Sequence, residues 1–276
     1  MLPLWRSQIR IALSPDQVLW MRLSKGLRRQ VTEKVLLQCP RETSGPGWHA
    51  PLAALAAKLN EPKAGPAEVE VILSNHFVRY ALLPWSENVE SAQEVEALAR
   101  IYFEKIYGHP VNAWALRISP APYGSACLAS AIDQALLDEL DVIFEPGRLH
   151  LASIQPYFMA SFNYWRRKLK PQEYCFVLVE NSKLCVAAVR DNKWLGVRTL
   201  QSNGSLTAEL PQIVDREILL LGLEPSVQIY LYAPEMPDLA LDRGNTVACE
   251  ILKLLPRPGF SPDVDCRYGM ALTGAI

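Results

Sequence analysis

The N-terminal part of the sequence contains three apolar runs separated by turn residues. These β-favouring runs lie at residues 9–14, 18–23 and 30–37. Short runs divided by turn residues predict three antiparallel strands joined in a meander. Leucines and alanines then recur at helical spacing over residues 51–59, where Pro51 suits a first helical turn. The first unit is therefore predicted to be three strands followed by a helix.

The same order of elements returns in the second half of the chain. Apolar runs lie at residues 174–179, 184–189 and 194–200, and an apolar helical stripe follows them at 206–221. Gly222 marks the end of that helix. A repeat of this length predicts two structurally related lobes. We place their boundary in the interrupted segment 167–172, which gives lobes at residues 1–167 and 168–276.

Further strands and helices are predicted between the two units. The strands lie at 69–73, 77–83, 113–118, 126–131 and 148–154, and the helices at 86–107, 134–144 and 156–165. The helix at 86–107 has the clearest pattern, because acidic residues fill its N-terminal half and Gly108 follows it. Its expected apolar face comprises Val95, Leu98, Ala99, Tyr102, Phe103 and Ile106. Residues 86–144 are therefore predicted to form an α-β-β-α insert in the first lobe.

The composition is that of an ordinary globular protein. Of the 276 residues, 50% are hydrophobic and 21% are charged. The formal net charge of −1 argues against nucleic acid as a partner. No run approaches the ~20 apolar residues of a membrane span, and the N-terminus does not read as a secretory signal. We therefore expect a cytoplasmic protein without direct membrane insertion. The six cysteines are scattered, which predicts no metal site, and Cys175 and Cys185, which lie in apolar runs, are predicted to be reduced and buried.

The predicted order of elements resembles the plan of the actin and sugar-kinase superfamily. In that plan, three strands and a helix are repeated in two lobes, and the first lobe contains an insert. The resemblance is closest in Ser-Asn-His-Phe-Val-Arg-Tyr at 74–80 and Leu-Ala-Ser-Ile-Gln-Pro at 151–156. With the small residues at 268–275, these stretches resemble the PilM family of type IV pilus assembly and the GspL cytoplasmic domains of type II secretion. The resemblance implies an α/β, actin-like (ribonuclease H-like) two-lobed fold with duplicated βββα units.

The turns that bind nucleotide in active members of this superfamily are altered here. Those members carry Asp-x-Gly in the first hairpin, where Asp helps to hold the metal and Gly lets backbone N–H groups approach phosphate. This chain has Ala12 at the Asp position and Ser14 at the Gly position, followed by Pro15, which has no N–H. The second-lobe turn contains Glu180 without a glycine, and Ala-Pro-Glu at 233–235 replaces the paired glycines of the adenosine site. We therefore expect no catalytic residues and no ATP or magnesium cofactor.

Several single residues have two interpretations at this point. Asp16 is either a relocated metal ligand or a turn residue, and Glu180 is either a substitute acid or a solvated hairpin residue. We favour the second interpretation for both. Ser125, in Tyr-Gly-Ser-Ala-Cys, lacks the Gly-x-Ser-x-Gly frame of a nucleophile elbow. The histidines belong to different elements, which favours separate surface or capping roles over a catalytic pair; they are His49, His76, His109 and His150.

Aromatic residues cluster within the predicted insert and on the helix at 156–165. Most are expected to fill the core. PilM-like proteins, however, hold the cytoplasmic tail of the membrane protein PilN in a groove between the first lobe and its insert. By resemblance, strand 77–83 and the face of helix 86–107 would form that groove here and bind an extended peptide. The expected lining residues are Arg79, Tyr80, Trp85 and Tyr102.

The resemblance implies a non-catalytic cytoplasmic scaffold of a pilus or secretion machine, peripheral to the inner membrane and bound to a PilN-like tail. Two alternatives from other classes stay open. A nucleotide-binding actin-like ATPase or small-molecule kinase with an atypical site predicts saturable binding of ATP with magnesium. A filament-forming cytoskeletal protein, which self-associates, predicts sedimentable polymers.

Overall fold

The computed structural model describes residues 7–26, 28–42, 44–61, 65–89, 91–145, 149–170, 172–202, 206–241 and 249–275. Position 90 of the predicted helix 86–107, position 148 of the predicted strand 148–154 and position 171 of the predicted linker lie outside these ranges. Positions 1–6, 27, 43, 62–64, 146–147, 203–205, 242–248 and 276 of the predicted lobes also lie outside them. The N-terminal half contains β1 (Ser7–Ser14), β2 (Gln17–Leu23), β3 (Val31–Gln38), α1 (His49–Leu59), β4 (Ala67–Leu73), β5 (Val78–Leu83), α2 (Ala92–Tyr107), β6 (Trp114–Ile118), β7 (Cys127–Asp133), α3 (Gln134–Phe144), β8 (Leu149–Pro156) and α4 (Tyr157–Trp165). The C-terminal half contains β9 (Glu173–Glu180), β10 (Lys183–Arg190), β11 (Lys193–Gln201), α5 (Leu206–Leu220), β12 (Gln228–Tyr232), β13 (Cys249–Ile251) and α6 (Gly269–Leu272). Within the described ranges, no helix combines the length and the apolar character that crossing a membrane requires.

Two five-stranded sheets have the same strand order. In the first lobe the order is β3-β2-β1-β4-β8, and in the second it is β11-β10-β9-β12-β13. Each meander is antiparallel, and its first strand pairs in parallel with the next strand beyond the helix. Ile11 lies opposite Val71 in one lobe, and Phe176 lies opposite Tyr230 in the other. The predicted α/β fold class is confirmed, and β13 is a strand that the sequence pattern did not predict.

Helix α4 lies between the two sheets and joins their cores. The Phe158 ring centroid lies 5.3 Å from that of Tyr80 in β5 and 6.0 Å from that of Phe176 in β9. One turn further along, Phe162 packs on Trp194 of β11 with ring centroids 4.4 Å apart. Buried apolar residues of both lobes therefore form one continuous cluster. A second cluster lies between α5 and the second-lobe sheet.

The insert is a three-stranded sheet with the order β5-β7-β6, on which α2 packs. Its own small core contains Phe103 and Trp114, whose ring centroids lie 6.3 Å apart. The structure differs from the predicted insert at 86–144 in two ways. The sheet begins one element earlier, because β5 pairs with β7, and the buried residues of α3 join the core of the first lobe. The division of the chain into lobes at 167 and 168 stays a prediction.

Helix α2 starts later than predicted, at Ala92 instead of residue 86. Ser91 is its N-cap: the Glu94 backbone N–H donates to Ser91 Oγ at 3.2 Å, and the Ser91 N–H donates to Glu94 Oε2 at 2.9 Å. This capping box satisfies two N–H groups and determines where the helix begins. Gly108, with a φ of 82°, ends the helix as predicted. Ile106 is 55% exposed and does not belong to the apolar face, so that assignment is wrong.

A buried arginine connects the first strand to the C-terminal segment. Arg10 in β1 is 1% exposed, and its guanidinium donates a hydrogen bond to the Glu70 carboxylate in β4. It also donates to the carbonyl groups of Ala271, at 2.6 Å, and Thr273. Burial lowers the pKa of Arg10, and the charge of Glu70 opposes that shift. The short helix α6, which follows the second-lobe sheet in the chain, is thereby held against the sheet of the first lobe.

Replacing this arginine in the variant Arg10→Met is expected to lower the free energy of unfolding by about 3 kcal/mol, because Glu70 and two carbonyl groups lose a buried donor. Urea unfolding followed by circular dichroism measures the loss. Arg190→Met is the control, since it removes a half-exposed ion pair with Glu173 and should cost less than about 1 kcal/mol. Equal losses in the two variants would contradict the structural role of Arg10.

Candidate functional site

The central strands of both lobes end at a cleft between them. Because β1 and β4 are parallel, as are β9 and β12, their carboxyl ends lie at one edge of each sheet. Ligands of open α/β sheets bind at this edge, and the altered nucleotide turns lie here. The residues at the cleft are Ser14 at the end of β1, Asp16 after β1, 74–76 after β4, Glu180 at the end of β9, and Glu235 after β12.

Glu180 binds the first lobe directly. Its carboxyl group accepts hydrogen bonds from the Ser74 hydroxyl, from the Asn75 backbone N–H at 3.0 Å and from the Asn75 side-chain amide at 3.1 Å. The Glu180 side chain is 4% exposed, so its interpretation as a solvated hairpin residue is wrong. A buried carboxyl group with three donors is well satisfied, which makes Glu180 a structural contact between the lobes.

Asn75 extends this network into the insert and α4. Its Oδ1 accepts hydrogen bonds from the Tyr80 hydroxyl at 2.8 Å and from the Phe158 backbone N–H at 3.2 Å. Burial raises the pKa of Tyr80, so its hydroxyl stays protonated and donates. Asn75 therefore uses both ends of its amide and connects β4, β5, α4 and β9. The stretch 74–80, where the resemblance is closest, thus supplies the hydrogen bonds that join the lobes.

The rest of the cleft is acidic. Burial first, and then the nearby charges of Glu180 and Asp16, raise the pKa of Glu235 to about 8. Glu235 Oε1 is buried and has no hydrogen-bond partner among the residues that the structure describes. Asp16 pairs with Arg41, with 2.8 Å between Oδ2 and Nη2. The cleft therefore presents carboxyl groups where an active relative would need donors for phosphate.

The altered positions Ala12 and Ser14 offer nothing to a nucleotide. Ala12 is 1% exposed inside β1, and the Ser14 hydroxyl lies 3.2 Å from each of its acceptors, Asp16 Oδ1 and the Gln17 carbonyl. The cavity that remains in the cleft has a volume of ≈ 10 Å³, which is about the space of one water molecule. In the described part of the chain, no three His, Cys, Asp or Glu side chains are grouped so that they could hold a metal ion.

The histidines do not form a pair in the described structure. His76 is the one that lies at the cleft, with its Nδ1 2.9 Å from the Ser74 hydroxyl and 3.7 Å from Glu180 Oε1. His49 is the first residue of α1, and its Nδ1 lies 3.4 Å from Glu42 Oε2. His150 is exposed on β8. The side chain of His109 lies outside the described residues.

A second candidate site is a groove between the insert and the first lobe. Its walls are the outer edges of β6 and β8, which are terminal strands of their sheets. We call it the edge groove. It contains a cavity of ≈ 630 Å³, and a second cavity of ≈ 550 Å³ adjoins it along β8 and α3. Its apolar lining includes Leu116, Leu137 and Ile154. Arg100 of α2 also lines it and pairs with Glu96 at 2.8 Å.

Two of the predicted groove assignments do not agree with the structure. Tyr80 is 4% exposed, because its hydroxyl binds Asn75 in the core, so its assignment to a groove lining is wrong. Strand β5, predicted as the floor, lies against β11 of the second lobe. The edge groove is bounded by β6 and β8 instead. The alternating apolar residues Leu116 and Ile118 of β6 were the available sequence signal for it.

The other predicted lining residues lie around the insert sheet. Arg79 stacks on Trp114, with 4.1 Å between its guanidinium carbon and the ring centroid, and Trp114 in turn lines the edge groove. Trp85 is 37% exposed and packs on Tyr123 at 5.1 Å. Tyr102 packs against the core of the insert. The structure therefore brings Arg79 close to the edge groove and gives Tyr102 a packing role.

Comparison with known proteins shows the fold. No protein-family model and no curated protein matches the sequence. The structure is similar to the cytoplasmic domain of EpsL, an inner membrane component of the type II secretion system of Vibrio cholerae, with a TM-score of 0.59 and 12% identity over 98% of this chain and 96% of that chain. It is similar to the PilM–PilN type IV pilus biogenesis complex, with a TM-score of 0.64 and 17% identity over 97% and 96% of the two chains. It is also similar to a Bacteroides thetaiotaomicron protein with an actin-like ATPase fold and unknown function, with a TM-score of 0.57 and 9% identity over 91% and 94%.

The chain therefore has the actin-like ATPase fold. The solved structures that resemble it include the two kinds of protein that the stretches at 74–80 and 151–156 indicated, so the expectation of that fold is confirmed. Because the sequence identities to these structures are 17% or lower, the comparison supports a similar fold and gives no information about the chemistry of the cleft.

Neutralising the buried acid in Glu235→Gln is expected to stabilise the protein at alkaline pH. The folded-state pKa of Glu235 is about 8, whereas its ordinary value is 4.5. The stability that protonated Glu235 contributes is fully present below 4.5 and is lost as the pH rises to about 8. At pH 9 the glutamine variant, which has no charge to bury, should exceed the wild type by about 2 kcal/mol in the free energy of unfolding.

Urea unfolding at about pH 5 and pH 9 measures this difference. Glu224→Gln, at an exposed position outside the cleft, is the control and should show little change at either pH. A stability gain in Glu235→Gln that is the same at both pH values would be evidence against a buried, titrating Glu235.

Proposed function

We propose that this chain is a non-catalytic scaffold of an assembly related to type IV pili or type II secretion. In this proposal it lies in the cytoplasm at the inner membrane and binds the cytoplasmic tail of an inner-membrane protein. The observation that carries the proposal is the contrast between a filled inter-lobe cleft and an open edge groove. The likeness in fold to the EpsL domain and to the PilM–PilN complex supports this direction.

The cleft supports a non-catalytic role because it lacks space for a nucleotide and because its lining arginine, Arg41, is already paired with Asp16. Its cavity of ≈ 10 Å³ is far smaller than the several hundred Å³ of ordinary ligand sites. The carboxylates of Asp16 and Glu180 would repel the phosphates of ATP. The hydrogen bonds of Glu180 to Ser74 and Asn75 must also break before the lobes could separate.

The edge groove suits an extended peptide because both of its walls are strand edges. Within the described residues, β6 pairs with β7 alone and β8 pairs with β4 alone. Each strand therefore presents backbone N–H and C=O groups that an added strand can bind. Apolar pockets beside a strand edge favour a peptide whose alternate side chains are apolar.

A second candidate function is an actin-like ATPase or small-molecule kinase with an atypical site. The observation that favours it is the grouping of Asp16, His76 and Glu180 at the strand ends, where catalytic acids of this fold class would lie. Binding of nucleotide distinguishes the two functions.

Calorimetric titration with ATP and magnesium is expected to show no saturable binding up to about 1 mM. The physical reason is the filled, acidic cleft. Glu235→Gln removes one acidic group without creating space, so it is also expected not to bind. Micromolar affinity in the wild type would favour the ATPase or kinase instead.

A photo-reactive amino acid placed at position 116 or 154 is expected to cross-link to a membrane protein in cells, because both positions line the edge groove. Mass spectrometry should locate the cross-link in the cytoplasmic tail of a protein with a membrane span. The same amino acid at position 264 is the control, because Val264 is 75% exposed and does not line the groove.

Leu116→Glu should weaken capture of that protein at least about tenfold, since it places a charge in an apolar pocket. Val264→Glu should leave capture unchanged. If cross-links form equally at positions 116 and 264, or if Leu116→Glu binds as the wild type does, the edge groove is not the docking site.

A further inference from the structure

A cavity that the proposed function does not use lies between the insert, α4 and the second lobe. Its volume is ≈ 330 Å³, within the range of small-molecule sites. Its walls are the β6–β7 loop at 119–126, one face of α4, and residues 189–194 at the turn between β10 and β11. We call it the α4 cavity. It shares no lining residue with the cleft or with the edge groove.

One wall of the α4 cavity is aromatic and firmly packed. Trp194 lies on Phe162 with ring centroids 4.4 Å apart, and Phe162 lies on Phe176 of the core at 5.7 Å. Met159 and Val189 add further apolar surface to the lining. A wall of this kind is suited to stacking with a flat apolar group.

The lining also carries positive charge without an acid. Arg166, directly after α4, and Lys193, at the start of β11, are both exposed. Neither forms an ion pair with any described residue, and none of the lining residues is Asp or Glu. Two unpaired cations beside an apolar wall favour an anionic ligand over a neutral or cationic one.

Ser125 adds a buried hydroxyl to the loop wall. It is 4% exposed, and its Oγ has no hydrogen-bond partner within the described ranges. The loop holds it there, because the Ser125 N–H donates to the Pro122 carbonyl at 3.0 Å and Gly124 adopts a φ of 74°. An unpartnered buried hydroxyl destabilises a protein unless a ligand or water satisfies it. Tyr174 lines the same cavity, and burial raises its pKa to about 12, so its hydroxyl is a donor at neutral pH.

We infer that the α4 cavity binds a small organic anion with a flat apolar part. The anionic group, a carboxylate or a phosphate monoester, contacts Arg166 and Lys193, and the apolar part packs on Trp194. The Ser125 hydroxyl binds a polar atom of the same ligand. Because the walls come from the insert and from both lobes, bound ligand stabilises their arrangement. The site does not depend on the proposed scaffold function.

Phenyl phosphate and phenylacetate are the probes. Inorganic phosphate, which lacks the ring, and benzyl alcohol, which lacks the charge, are the matched controls. Calorimetry measures affinity, and the indole N–H signals in ¹H–¹⁵N NMR spectra locate the site, once Trp194→Phe identifies the signal of Trp194. At least one aryl anion should bind with a Kd below about 1 mM and shift that signal. Inorganic phosphate and benzyl alcohol should bind at least about tenfold more weakly.

Arg166→Gln and Lys193→Gln should each weaken binding of the aryl anion about tenfold. Arg167→Gln is the control, since Arg167 is an exposed neighbour that does not line the cavity. Ser125→Ala should weaken binding without lowering the Tm of the free protein, because it removes an unsatisfied hydroxyl. The inference is overturned if neither aryl anion saturates, if the Trp194 signal does not move, or if Arg166→Gln and Arg167→Gln bind alike.

Discussion

The hydrogen bonds from Ser74 and Asn75 to Glu180 determine how the two lobes face each other. A carboxyl group at the end of a central strand is costly to bury unless donors satisfy it, and the donors here belong to the other lobe. The lobes therefore close until those bonds form. The same closure brings Tyr80 to Asn75 and places Phe158 between the sheets. Tight packing of the lobes and loss of space for a nucleotide are thus two results of one contact.

Local patterns in the sequence were sufficient for most of the fold. The two meanders follow from apolar runs divided by turn residues, and α3 has the bounds that its periodicity predicted. The late start of α2 depends on the hydrogen bonds between Ser91 and Glu94, a signature that is present in the sequence but that apolar periodicity does not detect. Strand β13 has three residues, which is too short to produce a periodic signal.

The sequence predicted the loss of the nucleotide-binding motif at the candidate site. It did not predict the contact between the lobes that occupies the site instead. Ala12 and Ser14 are visible as departures from a local motif, whereas the contact between Glu180 and Asn75 joins residues 105 positions apart. The edge groove depends on which strands are terminal in their sheets, and strand order is a property of the whole fold. Tyr80 illustrates the limit, because its place in the core depends on a hydrogen bond to Asn75 and on ring packing with Phe158, and neither contact is visible in the local pattern.

The hydrogen bonds of Arg10 cannot all form until residues far along the chain have been synthesised. Its carbonyl acceptors lie 261 and 263 positions further along the chain. At ribosomal rates, β1 waits on the order of tens of seconds before the segment that carries Ala271 and Thr273 exists. Until then the Arg10 guanidinium has only the Glu70 carboxylate as a partner. The first lobe therefore lacks two carbonyl partners of Arg10 until residues 271 and 273 have been synthesised.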